Sequence, residues 1–248
     1  MFPKMLHPSF LPRRTLGITF AAFLLATINL HAEPPPAATP ALTANDILQA
    51  VREGQASRHE SLDGQLRNDE DGKTFPFRLV ADGPLVRYQF TGTPPTVVQV
   101  RYNEENSELQ ESTGGTTEKL TPANFDKKIL GTDLAYEDLA LRFFYWSKAT
   151  MEGEDTIKLR RCWKLRLNAP NHRSQYSSVN LWVDKESSAL MRAEAYDWQG
   201  KQSKRFEVIS GQKLAGKWYL KQMRVESLDP GTDHARSRTY LEIKGLSK

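Results

Sequence analysis

Hydrophobic and polar residues alternate with a period of two through much of the chain. In YSSVNLWVDKESSALMRAEAYDWQGKQSKRFEV, Tyr176 to Val208, the residues Val179, Leu181 and Val183 alternate with Ser178, Asn180 and Trp182. Met191, Ala193 and Ala195 then alternate with Arg192, Glu194 and Tyr196, and Phe206 and Val208 with Arg205 and Glu207. Successive side chains of a strand point to opposite faces, so each run has one apolar face and one mostly wetted face. The connections, residues 184–187 and 197–201, are short enough to force antiparallel neighbours.

The same plan predicts strands over 62–67, 75–81, 85–90, 96–102, 108–112, 117–120, 156–168, 218–228 and 236–244. Asp71-Gly72, Asp82-Gly83-Pro84, Gly92 with Pro94 and Pro95, and Gly114-Gly115 mark turns between them, as do residues 211–216 and 229–233. The result is a mainly β chain, a curved meander of about 11–12 strands with one apolar face.

Two stretches depart from this period. Thr43 precedes a run in which Ile47, Leu48 and Val51 form an apolar stripe; Thr43 with Asp46 resembles a capping box, and Gly54 ends the helix. Residues 122–130 and 133–147 also have helical character. Thr132 or Asp133 caps the second segment, and Glu137 and Asp138 place negative charge in its first turn. Ala135, Leu139, Phe143 and Trp146 share one face, with Tyr136, Ala140 and Phe144 beside them. So wide an aromatic arc has to dock onto the sheet, as a plug in the core or as a lid over a ligand cavity.

Composition changes the picture at the ends. Lys4, Arg13 and Arg14 precede a short apolar run, and Ala32 offers a small residue for cleavage, so residues 1–32 are read as a secretory signal peptide. Residues 33–42 are a Pro-rich linker and 43–248 a single domain. The whole chain carries 34 basic and 30 acidic residues, and three of the basic ones lie in the leader. The exported chain is thus nearly neutral, which argues against a nucleic-acid partner. Its only cysteine, Cys162, has no partner for an internal disulfide and reads as a small buried hydrophobe.

The candidate chemistry is sparse. His59, His172 and His234 are the histidines beyond the leader, each in a polar loop context. The sequence has no HExxH, no paired CxxC, no phosphate-cradling glycine loop and no GxSxG elbow. No catalytic residue, metal ligand or cofactor is therefore assigned. Arg160, Arg161, Lys164 and Arg166 crowd one strand and are read as a solvated outer face paired with Glu194 and Glu207.

The stretch 176–208, with its W-V-D-K turn and R-A-E-x-Y-D strand, resembles the signature of the LolA-like outer-membrane lipoprotein-sorting proteins. GTDLAYEDL (Gly131 to Leu139) and RCWKLRLNAP (Arg161 to Pro170) resemble two further segments of that family. The resemblance is to the broad group rather than to the carrier that names it. It implies an unclosed antiparallel β-barrel, with helices closing its mouth over a hydrophobic cavity, in a periplasmic protein that carries lipid-modified cargo. The expected partner is an acylated lipoprotein or lipid. Trp163, Leu165, Leu181, Val183 and Met191 are expected to line the concave face, and Leu139, Phe143, Phe144 and Trp146 to close it. The alternative is a sensor or protein-interaction module on the same scaffold, with its cavity filled by its own side chains and a membrane-embedded protein as partner.

Overall fold

The computed structural model describes residues 42–247. The expected leader and the linker up to residue 41 lie outside the described residues. The helix α1 (Ala44–Ala56) comes first, capped as its sequence predicts: the Thr43 hydroxyl accepts from the Asp46 amide at 3.2 Å, and the Asp46 carboxylate accepts from the Thr43 amide at 2.8 Å. Ile47, Leu48 and Val51 are buried. Gly54 does not end the helix, which continues to Ala56.

Six strands follow, β1 (His59–Asn68), β2 (Thr74–Asp82), β3 (Leu85–Phe90), β4 (Thr96–Tyr102), β5 (Ser107–Thr113) and β6 (Thr116–Lys119). After an irregular segment, residues 120–147, come β7 (Lys148–Ile157), β8 (Arg160–Asn168), β9 (Ser178–Asp184), β10 (Leu190–Tyr196), β11 (Gln202–Leu214), β12 (Lys217–Leu228) and β13 (Ala235–Leu246). All thirteen strands form one antiparallel sheet in the order β6-β5-β4-β3-β2-β1-β13-β12-β11-β10-β9-β8-β7. The sheet is an unclosed barrel, as expected. Its two edge strands, β6 and β7, are consecutive in the chain.

The seam between the two meanders is β1 against β13. Here Gly64 is required by space: a Cβ at this position would lie 2.7 Å from the Glu242 carbonyl oxygen and 2.7 Å from the Phe77 ring. Glu242 ties the seam through its carboxylate, which accepts from Gln65 of β1 at 2.7 Å and from Gln222 of β12 at 3.0 Å.

Besides the end of α1, the structure departs from the sequence reading in five places. The expected strand 156–168 is divided by a turn at Lys158 and Leu159 into the end of β7 and the whole of β8. Residues 148–155 form most of β7, an edge strand whose charges and Gly153 hide the alternation. Residues 211–214 continue β11 past irregular register at Ser210, and the turn is confined to Ala215 and Gly216. The expected helix over 122–130 is reduced to two short 3₁₀ turns, Pro122–Asn124 and Ile129–Gly131. The expected helix over 133–147 is a four-residue α2 (Tyr136–Leu139), broken at Leu141 in the left-handed region (φ 47°) and followed by a 3₁₀ turn, Arg142–Tyr145. A straight helix with so wide an apolar arc would leave part of it in water. The kink turns Phe143 and Phe144 inward instead, at a cost of about 1–2 kcal/mol for the left-handed leucine.

Two carboxylates hold this irregular segment against the sheet. Asp138 is buried and accepts from Lys204 Nζ at 2.6 Å, from the Tyr176 hydroxyl at 2.6 Å and from the Ala135 amide at 2.8 Å. The last contact makes Ala135, rather than Thr132 or Asp133, the residue at which α2 begins. Asp133 accepts from the hydroxyls of Ser227 and Ser237 on β12 and β13, at 2.7 and 2.5 Å.

Both networks generate predictions. Asp138→Asn leaves the Lys204 ammonium without its counter-charge, so urea denaturation should show a loss of about 3–5 kcal/mol. Adding Lys204→Met should recover part of that loss. For Glu242, burial pushes the carboxyl up, but hydrogen bonds from Lys244, Gln222 and Gln65 outweigh it and hold the pKa down at about 2. A depressed folded pKa contributes stability above the unfolded value that is lost as pH falls. Glu242→Gln should cost about 1–3 kcal/mol at neutral pH, and its difference from the native chain should shrink as the pH is taken from 4.5 towards 2.

Candidate functional site

The segment 120–147 leaves one edge of the sheet at β6 and returns at the other edge, β7, and on the way it fills the inner face. Phe125, Ile129, Leu134, Tyr136, Leu139, Phe143, Phe144 and Trp146 are all buried in the main core, with Leu66, Phe77, Val98, Leu165, Leu181 and Val225 of the sheet. Phe143 meets Phe144 edge-on at 5.0 Å and Trp146 at 6.5 Å between ring centroids. This segment is a plug.

Polar contacts pin the rest of the plug. The Tyr136 hydroxyl donates to Glu111 at 2.7 Å, and Arg142 Nη1 donates to the Ser107 carbonyl at 2.9 Å. From the opposite side, α1 reaches the plug through Arg52. Its Nη1 donates to the Phe144 carbonyl at 2.8 Å, and its guanidinium lies 5.6 Å from the centre of the Tyr145 ring. Arg52 therefore latches the helix to the plug with one hydrogen bond and one cation–π contact, each contributing about 1 kcal/mol.

The residues singled out from the sequence fall in three places. Leu139, Phe143, Phe144, Trp146, Leu165, Leu181 and Val183 are buried in one inner cluster, where they pack on one another. Trp163 is half-buried against the same cluster, with Lys185 Nζ 3.5 Å from its ring centre. Met191 is not among them. The β9–β10 register shifts between Leu190 and Arg192, so Leu190 packs inward in its place, and Met191 joins Ile157, Cys162 and Trp182 in a separate small cluster. Cys162 is fully buried there.

The basic strand also finds other partners than expected. Arg160 pairs with Asp184, Arg161 with Glu154 and Lys164 with Glu152, while Glu207 pairs with Arg192 and Arg224, and Glu194 with Arg205. Asp184 is buried; burial pushes its carboxyl up, but hydrogen bonds from Arg160 and Ser187 hold it below the usual range.

Two pockets open at one rim of the barrel. One, of about 850 Å³, is a cleft between the C-terminal half of α1, the β4–β5 turn and Tyr145. The other, of about 190 Å³, lies where the β4–β5 turn, the plug and the β8–β9 loop meet, and Trp146 is part of its wall. Of the nine residues expected to contact ligand, Trp146 alone lines either pocket.

The histidines form surface pairs or stacks. His59 Nδ1 lies 3.0 Å from Asp82 and His234 Nδ1 3.1 Å from Asp229, both exposed. His172 stacks on Trp198 at 3.6 Å. Among the described residues, the hydrogen bonds of these rings reach carboxylates and no hydroxyl nucleophile. No group of three or more His, Cys, Asp or Glu side chains that could hold a metal occurs among them either.

Sequence reasoning passed over Arg52, Lys204 and Tyr176, and took Glu137 and Asp138 only as first-turn charges. One signal was present. Lys204 falls in the same phase of β11 as Phe206, and both are buried. A lysine in the apolar phase of a strand requires a buried counter-charge, and GTDLAYEDL supplies it.

Comparison with known proteins agrees with this geometry. No curated protein matches the chain by sequence. A DUF1329 family protein from Desulfovibrio piger has a similar structure, with 19% identity, a TM-score of 0.65, and 81% of this chain and 90% of that one covered. A domain described as outer membrane lipoprotein-sorting, from Vibrio parahaemolyticus, is 16% identical with a TM-score of 0.67, covering 82% and 91%. A LolA superfamily protein from Nitrosomonas europaea is also 16% identical, with a TM-score of 0.61, covering 82% and 92%. A family model whose description reads "Uncharacterized protein" matches residues 113–247, from the end of β5 through β13. The chain belongs to that family, and its fold is that of the LolA-like lipoprotein-sorting proteins.

Proposed function

We propose that this protein is a periplasmic carrier that binds the acyl chains of a lipid-modified protein or lipid on the inner face of its open barrel. The observation that carries this reading is the plug. The inner face is covered by an irregular, aromatic, kinked segment and a latched helix, not by a closing strand. A segment held by apolar packing and side-chain hydrogen bonds can be displaced without breaking a strand ladder. Acyl methylenes would then replace the rings of Phe143, Phe144 and Trp146, at a gain of about 0.8 kcal/mol each. Export through a cleaved leader, and action as a binding protein rather than an enzyme, belong to the same reading. Opening the cover lowers the population of the closed form, so a weaker latch should favour uptake.

The packed interior favours a second reading, in which the barrel is a module that docks a membrane-embedded protein and keeps its core filled. One experiment separates the two. The protein is isolated gently from its native periplasm and its co-purifying molecules are identified by mass spectrometry. Acylated peptide or phospholipid in near-stoichiometric amount is the expected result. A lipid-free protein that brings down one specific membrane protein would replace the carrier reading with the second. As a quantitative companion, Arg52→Ala should bind a fluorescent fatty acid several-fold more tightly than the native chain, with the urea midpoint lowered by the equivalent of about 1–2 kcal/mol. Unchanged uptake by Arg52→Ala would remove the latch from the mechanism.

A further inference from the structure

The smaller rim pocket, of about 190 Å³, has room for about six water-sized groups, and its walls carry chemistry that packing does not require. Glu137 is 1% exposed and lines it. Unlike Asp138 next to it, Glu137 forms no ion pair among the described residues; its carboxylate accepts from the Gln175 amide at 3.2 Å. Burial pushes its pKa up, against the opposing effects of Ser174, Gln175 and Arg142. A buried carboxylate without a direct ion pair is destabilising, and a glutamine would fill the same space.

The neighbours of Glu137 extend the pattern. Ser107, 3% exposed, also lines the pocket, and its hydroxyl has no hydrogen-bond partner in the protein. Arg142 is held by its bond to the Ser107 carbonyl and by the Phe125 ring, 4.0 Å from its guanidinium carbon. That leaves further N–H donors on an oriented, half-buried cation. Arg173 stands exposed at the rim. The β8–β9 loop that carries it is braced by Trp198, whose indole N–H donates to the Ser174 carbonyl at 2.9 Å. The pocket thus sets a buried carboxylate and a free hydroxyl beside two guanidinium groups, and Trp146 of the plug joins it to the apolar interior.

We propose that this pocket is a subsite for a small zwitterion, with a primary ammonium on Glu137 and Ser107 and a phosphate on Arg142 and Arg173. Each half answers one charge in the wall, and an ammonium supplies the direct ion pair that Glu137 lacks. The inference rests on the carrier reading for its context: a ligand whose chains entered beside Trp146 would leave its polar end here. The same chemistry could come from an aminoethyl phosphate lipid headgroup or from a free aminoalkyl phosphate.

The test is calorimetry of the full chain with O-phosphoethanolamine, paired with sedimentation against phosphatidylethanolamine and phosphatidylglycerol vesicles. The expected results are binding of O-phosphoethanolamine, at least tenfold weaker binding by Glu137→Gln, and at least threefold weaker binding by Arg173→Gln. Arg173 is exposed, so that variant keeps the test valid if Glu137→Gln folds poorly. A preference for phosphatidylethanolamine vesicles, abolished by either variant, identifies the lipid headgroup as the source; binding of the soluble zwitterion alone identifies a free metabolite. No binding of O-phosphoethanolamine together with no preference between the two vesicles overturns the subsite, as does binding that neither variant weakens. The carrier reading fails separately, by the absence of fatty-acid uptake while O-phosphoethanolamine still binds.

Discussion

The constraint on which this structure depends is topological. The two edges of the sheet, β6 and β7, are consecutive in the chain, so the segment between them has to travel from one edge to the other. It does so across the inner face, and it brings three buried acidic side chains with it, Asp133, Glu137 and Asp138. Asp138 inside the barrel is tolerable because Lys204 of β11 and Tyr176 of the β8–β9 loop are already aimed at it. Each partner requires the other: a buried ammonium on β11 without Asp138 would cost about as much as the loss of several core methyl groups. The result is a plug whose position is fixed by charge and whose filling is apolar. Position and filling are thereby separable, since the aromatic part can rearrange while the charged part stays anchored.

Much of the fold was legible in the sequence because its signal is repetitive. Every strand with a clean alternation was found, and β3 and β4 were found to the residue. The Thr43–Asp46 cap was readable because it is local. Two of the failures arise where packing against the rest of the molecule overrides the local pattern. The period of 135–146 is helical, yet Asp138 turns back on Ala135 and Leu141 breaks the run so that both flanks of the arc can be buried. Met191 obeys the alternation on paper, but a register shift in β10 moves it to the other side of the sheet. Edge strand β7 was hidden for a local reason: six of its ten residues are exposed, and four of those carry charge.

The candidate site divides along the same line. Which residues share the inner face was readable from phase, because phase is a property of one strand. Which of them pin the plug was not, because Asp138 and Lys204 are 66 residues apart and neither belongs to a motif that names the other. The rim pocket was also out of reach. Ser107, Glu137, Arg142 and Arg173 come from three separate segments, and their meeting is a consequence of the plug's path.

The filled interior sets a condition on any apolar cargo. Phe143, Phe144 and Trp146 together bury about 450–750 Å² of ring surface, so moving all three into water would cost about 11–19 kcal/mol at 25 cal/mol per Å². One acyl chain of about fifteen methylenes returns about 12 kcal/mol. A single chain is therefore close to balance if the rings are fully expelled, and the exchange is clearly favourable only if the rings stay partly covered or more than one chain enters. The geometry bears on that choice. The break at Leu141 lies after the Asp138 anchor and before all three rings, so the aromatic half and the charged anchor are held by different contacts. The aromatic half is held by Arg52 at Phe144 and by Arg142 on the Ser107 carbonyl. On the carrier reading, a plug built in this way would resist one chain and yield to several, which would make the number of chains on the cargo, more than their length, the quantity that the barrel discriminates.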